Sequence, residues 1–351
     1  MKNTGFIRLW VALAVFGMGA ACAEVQQKAA DENTLSPAEE TTPTVEADEQ
    51  EADELEALYQ RGMALCQGDE DEDEDDDDDD EDVELDMEQA VRFFEEAANR
   101  GHAAAQFCLG NCYEYGTGVP RSPELAVEWY EKASAQGHTE AMYNLGLMYY
   151  YGVPKKDWKR AIELLSAAAE EYHPDAMAAL GKCYEIGAGV EKDFDKAFSL
   201  YVNSALLDNH MGMYHLACCY LNGTGGIEKE ISVALRLLNS SIKAGNPEAM
   251  MTLAQCYLDG EVVEKNTEAA LALLAQAALM EHPRAFYELG LYFEEGRGGE
   301  QDLDLAVTMY ESAADMNYSP AIEKLKKLKS SGAPEPPDAP DSAVAPSPGQ
   351  P

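Results

Sequence analysis

The string L-G-x-x-Y returns along this chain at an almost constant step, as LGNCYEYGTGV (109–119), LGLMYYYGV (145–153) and LGKCYEIGAGV (180–190). Aligning each copy on its leading small residue gives Ala105, Ala141, Ala176, Gly212, Ala249 and Ala285, with steps of 36, 35, 36, 37 and 36 residues. Four residues after each stands a leucine: Leu109, Leu145, Leu180, Leu216, Leu253 and Leu289. A small residue follows at once (Gly110, Gly146, Gly181, Ala217, Ala254, Gly290), and an aromatic three further on (Tyr113, Tyr149, Tyr184, Tyr220, Tyr257, Phe293). A second block places Ala126, Ala161, Ala197, Ala234, Ala270 and Ala306 four residues ahead of Tyr130, Leu165, Tyr201, Leu238, Leu274 and Tyr310. A fixed period of this length is the mark of a solenoid, because one unit cannot bury its apolar face alone and stacking buries it.

At 100° per residue, offsets 0, 4, 5 and 8 fall on one side of a helix, so the first block is an amphipathic helix. The second block defines another by its i, i+4 pair. Gly116 and Gly118 end the first helix and turn the chain, since glycine takes φ > 0 without penalty. Pro174, Pro247, Pro283 and Pro320 sit in first turns, where a missing N–H costs little. The expectation is an all-α protein, an α/α solenoid of about seven helix hairpins with a C-terminal capping helix. The seventh, less regular hairpin comes first: Ala57, Gly62, Leu65 and Gly68 keep the register, and Ala90 and Phe94 take the second-block slots. SPAIEKLKKLK (319–329) carries four lysines, as a solvent-facing cap should. Gly212 stands where the other copies have alanine and is expected to loosen its helix, at about 1 kcal/mol.

The repeat L-G-x-x-Y with A-x-x-x-Y is the tetratricopeptide pattern. The step length and the G-x-G-V turn, as in ALGKCYEIGAGVEKDFDKAFSLYVNSA (179–205), resemble a sister family more closely, the Sel-one-like repeats. The resemblance covers about 54–329. It implies a curved helical solenoid that works as a binding scaffold or adaptor, in a class of proteins often exported or associated with the bacterial envelope.

Offsets 2, 6 and 9 of the first helix point away from the core positions. In tetratricopeptide-like arrays that side lines a concave groove. Here it carries Tyr143, Tyr214 and Tyr287 at offset 2, and Asn111, Lys182 and Gln255 at offset 6. Offset 9 holds Glu114, Tyr150, Glu185 and Glu294. Tyrosines among polar groups suit an adaptable protein or peptide interface.

Signals for chemistry are weak by comparison. None of the glycine turns continues as G-K-[ST], so they are not phosphate loops. SSIK (240–243) spells S-x-x-K, but no S-D-N or K-T-G accompanies it. An envelope hydrolase or β-lactam-binding enzyme therefore stands as the alternative to a scaffold, and no catalytic residue, cofactor or metal site is assigned. His102, His138, His173, His210 and His282 close successive units, where an imidazole suits a helix C-terminus. Cys112, Cys183, Cys219 and Cys256 share one slot, too far apart in neighbouring units for a disulfide and expected as buried thiols. A Cys66–Cys108 pairing across adjacent units stays open.

The ends and charge complete the reading. Residues 1–23 look like an export signal, with Lys2 and Arg8 ahead of an apolar stretch and small residues at Ala21–Ala23. Cleavage after Ala23 is favoured, and lipidation of Cys22, which would anchor the chain to a membrane, is the alternative. A periplasmic or secreted location follows. Residues 24–52 read as a disordered acidic tether, 53–330 as the solenoid, and 331–351 as a Pro/Ala-rich disordered tail. Fourteen consecutive acids at 69–82 form a disordered insertion within the first hairpin, and the net charge is -41. Such a chain is unsuited to nucleic-acid phosphates. Basic partners or weakly held divalent cations suit the run instead, which makes a cation-binding protein a third reading.

Overall fold

The computed structural model describes residues 43–67, 80–297 and 300–330. The export segment, most of the tether, residues 69–79 of the acidic run and the Pro/Ala tail lie outside the described residues. The described residues form an all-α solenoid of seven helix hairpins and a final helix, with no strand among them. The first helix of each hairpin is called A and the second B. The hairpins are α1 (Pro43–Gln67) with α2 (Asp80–Asn99), α3 (Ala103–Tyr115) with α4 (Pro123–Ala135), and α5 (Thr139–Tyr151) with α6 (Trp158–Glu170). They continue as α7 (Pro174–Ile186) with α8 (Phe194–Leu206), α9 (His210–Asn222) with α10 (Ile231–Lys243), and α11 (Pro247–Asp259) with α12 (Thr267–Leu279). The last is α13 (Pro283–Glu295) with α14 (Leu303–Asp315), followed by α15 (Ser319–Ser330). Two compact units divide the chain within α9, between Leu216 and Ala217.

Within each unit the slots expected from periodicity are the core. The leading alanines are fully buried, the offset-4 leucines are no more than 8% exposed, and the B-helix residues from Tyr130 to Tyr310 no more than 2%. Burial of one such side chain stabilises by about 1.5–3 kcal/mol. A helices end on a left-handed glycine (Gly116, Gly152, Gly187, Gly260, Gly296). B helices start on Ser122, Asp157, Asp193, Asn266 or Asp302, whose side chains accept from the third helical N–H. That bond satisfies a donor the helix itself cannot use.

The mid-helix glycine makes room for an aromatic ring. A Cβ on Gly110 would lie 2.5 Å from Tyr130 Cε1, and the same holds for Gly62 with Phe94 and Gly290 with Tyr310. On Gly181 it would lie 2.7 Å from Tyr201 Cε1. Where the B helix offers the slimmer Leu238 or Leu274, the A helix carries Ala217 or Ala254 instead.

Three expectations change. First, the helices reach further than expected: α1 begins at Pro43, so the last ten residues assigned to the tether are helical, and α2 begins at Asp80, so the last three acids of the 69–82 run are helical and not a disordered insertion; Arg100 reaches back to Glu54 at 2.9 Å and Glu51 at 3.4 Å. Second, Gly212 does not break α9. It sits against the Ser204 hydroxyl, a slot that is alanine in the three preceding hairpins (Ala97, Ala133, Ala168), and a Cβ there would collide with Ser204. Third, His102, His138 and His173 do not close helices; they open them, while His282 holds the same slot without a side-chain cap bond. Nδ1 of His102, His138 and His173 accepts from the N–H of Ala105 (3.1 Å), Ala141 (3.3 Å) and Ala176 (3.2 Å). Nε2 of His102 lies 3.1 Å from Glu56, so the two partners set the tautomer with the proton on Nε2. His210 lies one position past this slot, which Asn209 fills by accepting from Met211 and Gly212.

Candidate functional site

In the unit Met1–Leu216, two cavities open along the A helices. The larger, about 530 Å³, lies between α1, α3 and the start of α5, and its lining includes Tyr59, Met63, Phe107, Cys108, Asn111 and Tyr115. The smaller, about 190 Å³, lies between α5, α7 and α9; Tyr143, Tyr150, Tyr151, Asp175, Lys182 and His215 are among its walls. Four of the ten residues expected on this face therefore line cavities: Asn111, Tyr143, Tyr150 and Lys182.

Offset 2 has a second duty that periodicity does not reveal. Its aromatic rings stack on the capping residue of the next hairpin. Tyr59 lies 5.2 Å from His102, Phe107 4.7 Å from His138, and Tyr143 4.8 Å from His173. In the unit Ala217–Pro351, Tyr287 packs at a 60° tilt against Tyr318, the residue before α15, with centroids 5.6 Å apart. His102, His138 and His173 thus each order a helix start and join two hairpins. Burial pushes the Tyr143 hydroxyl up to about 12. Tyr214 packs on its neighbour His215 at 5.1 Å.

Offset 9 is tied to the B helix. Glu114 accepts from the Tyr130 hydroxyl at 2.7 Å and Glu185 from Tyr201 at 2.7 Å, while Glu294 accepts from Tyr310. A buried phenol needs an acceptor, and the glutamate supplies it. Where the B helix has leucine, offset 9 becomes Tyr150, Leu221 or Leu258. Burial raises the Glu185 carboxyl, but the Tyr201 hydroxyl and the Lys182 ammonium, 3.2 Å away, outweigh it and hold it below the usual carboxylate value. Glu294 is held down in the same way, burial being outweighed by Lys324 at 2.8 Å and by Tyr310. Gln255 donates to Asp259 at 2.7 Å on an exposed stretch of α11.

Offset 10 is not marked by the repeat period. Tyr115, Tyr151 and Ile186 occupy it in three consecutive hairpins of the first unit and are 70%, 72% and 51% exposed. Their signal was available: a large apolar residue set directly before the turn glycine, away from every core offset. An exposed apolar row of this kind beside cavities marks an interaction surface.

Ser240 is exposed near the end of α10 and lines neither cavity. Cys66, Cys108, Cys112, Cys183 and Cys256 are free thiols, so the Cys66–Cys108 pairing is not formed. Among the described residues no three His, Cys, Asp or Glu side chains converge to hold a metal ion, and no helix is long and apolar enough to cross a membrane.

The Sel1 repeat model matches residues 55–102, 103–138, 139–173, 174–209, 210–246, 247–282 and 283–318. Its boundaries fall on the capping slot throughout. Among solved structures, the chain is similar to a Sel1 repeat protein from Oxalobacter formigenes, at 26% identity and a TM-score of 0.57, over 75% of this chain and 99% of that one. It is also similar to a protective antigen of uropathogenic Escherichia coli strains displaying an SLR fold, at 26% identity and a TM-score of 0.51, over 84% of this chain and 60% of that one. Among curated proteins, DAP3-binding cell death enhancer 1 of Rattus norvegicus is 41% identical over 143 residues, 40% of this chain. Chitin synthase regulatory factor 3 of Schizosaccharomyces pombe is 35% identical over 69 residues, 20% of this chain. The matches span 28% and 7% of those two proteins.

Proposed function

The chain belongs to the Sel1 repeat family, and on that premise we propose that it is a non-enzymatic scaffold that docks a protein or peptide segment along its A helices. The observation that carries this reading is the row Tyr115, Tyr151 and Ile186 beside the two cavities of the first unit. Rigid helices hold the row, so a partner meets a largely preformed surface and little ordering cost is incurred on binding. The name of the rat relative describes a protein that binds another protein, which agrees in kind with a scaffold.

A photo-crosslinking residue placed at Tyr151 or at Ile186, in the native host, tests the face. Crosslinks to the same partner from both positions, and none from Leu279 on the far end of a B helix (85% exposed), are expected. Crosslinks from Leu279 with silence at 151 and 186 would place docking elsewhere. Export rests on the signal-like residues 1–23. Intact mass of the native protein decides among a start at Glu24, a lipidated Cys22 and a retained Met1.

A further inference from the structure

We propose that the smaller cavity is a cage for one cationic side chain, arginine or lysine, of the docked segment. The inference rests on the docking face proposed above and names what its second cavity takes. A volume of about 190 Å³ is below the roughly 300–1,000 Å³ of small-molecule sites and suits a single side chain. Three tyrosines line it, and the rings of Tyr150 and Tyr151 stand at 89° with centroids 5.2 Å apart. The pair meets edge to face, and an aromatic face turned to a bound cation holds it through the ring quadrupole.

The charges around the cavity favour a cation. Lys182 is matched by Glu185 at 3.2 Å. Asp175 accepts from the neutral Asn209 amide, at 2.8 Å, rather than from an ammonium or guanidinium. Burial pushes the His215 imidazole down to about 4, so that ring is neutral at physiological pH. One carboxylate thus remains uncompensated at the wall, in a chain whose net charge is -41. An acidic side chain would meet Asp175, and a purely apolar one would leave it desolvated.

The test is a titration of the full chain, carbon-13 labelled at tyrosine, with N-acetyl-arginine methylamide and with its citrulline counterpart, which is neutral and nearly the same shape. At physiological salt, saturable shifts of the Tyr150 and Tyr151 ring signals are expected with arginine, and at least about five-fold weaker binding with citrulline. Tyr151→Ala should weaken arginine about five-fold or more, while Tyr150→Phe, which keeps the ring face, should stay within about two-fold. Equal binding of the two probes, no saturable shift with arginine, or indifference to Tyr151→Ala would each overturn the cage. Peptides selected from a random displayed library separate this from the docking face. Peptides that lose binding to Ile186→Asp yet carry no lysine or arginine would keep the face and discard the cage. A selection yielding only peptides indifferent to both Ile186→Asp and Tyr151→Ala would discard the face.

Discussion

Gly110→Ala puts one methyl group into the tightest contact between an A and a B helix. The new Cβ would lie 2.5 Å and 2.6 Å from two ring carbons of Tyr130. Carbon atoms rest at roughly 3.5–4.0 Å, so about 1 Å must be found. The ring has no route of retreat. It is fully buried, and its hydroxyl donates to Glu114 at 2.7 Å with Asn111 Oδ1 beside it. Overpacking of this kind costs ~1–3 kcal/mol. Alanine returns up to about 1 kcal/mol through helix propensity, which leaves a net loss of ~0–2 kcal/mol. Gly146→Ala is the internal control. There the nearest atoms belong to the branched Leu165, at 3.0 Å and 3.1 Å, and need give only a few tenths of an ångström. Its net effect should lie near zero or favour stability. The double variant Gly110→Ala with Tyr130→Leu reproduces the alanine–leucine pairs at 217/238 and 254/274 and should recover ~1 kcal/mol or more over the sum of the singles. Because repeats can open individually, hydrogen exchange of α3 and α4 should be read beside urea unfolding. Equal costs at 110 and 146, or an additive cycle, would refute the reasoning.

His215 makes the first unit sensitive to acid. Its folded value of about 4 lies below the ordinary 6.5, so the unfolded chain binds a proton first, and stability falls as pH drops from about 6.5 to about 4; the full span is ~3 kcal/mol, and His215→Phe should flatten that limb of the urea midpoint against pH. Thiol labelling should follow exposure. Cys66 should react first, with Cys183 far behind it, because burial encloses Cys183 and pushes its thiol up to about 11; equal rates would contradict the packing. Gly212→Ala should lower stability by ~1–3 kcal/mol through collision with Ser204, and adding Ser204→Ala should recover part of the loss; a neutral Gly212→Ala would refute the close approach of α8 and α9.

The core was legible because its slots answer to one period. The leading alanines, offset-4 leucines and B-helix rings are buried in the positions that the 35–37 residue step assigns. The histidines were misread for a local reason. Only three residues separate a B helix from the next A helix, so a residue there suits either a helix end or a helix start. Asn209 and Asn246, good N-caps at the same slot as His102 and His138, were the clue. The glutamates needed pairs rather than periods. Glu114, Glu185 and Glu294 each stand sixteen residues ahead of a tyrosine, as the short phenol contacts require, and glutamate is absent from offset 9 where the B helix has leucine. The apolar row at offset 10 lay hidden against the turn glycine.

These assignments divide the A helix by duty, and the division says where this fold can change its partner. Offsets 0, 4 and 5 face the B helix and tolerate only volume-matched changes. Offset 2 is shared: Tyr143 lines a cavity with one side and stacks on His173 with the other, so losing it weakens the joint between hairpins along with any contact to a partner. Offset 9 is shared where it holds glutamate, since removing Glu185 strands the Tyr201 hydroxyl. Offset 10 carries no such burden in the first unit, as Tyr115, Tyr151 and Ile186 are all exposed. Tyr151→Ala and Ile186→Ala should therefore move stability by no more than about 0.5 kcal/mol, while interface residues of this type cost ~1–2 kcal/mol or more in binding when truncated. Tyr143→Ala should reduce both. If Tyr151→Ala lowered the urea midpoint as much as Tyr143→Ala did, the separation of a free row from a structural row would fail, and with it the reason to expect docking there.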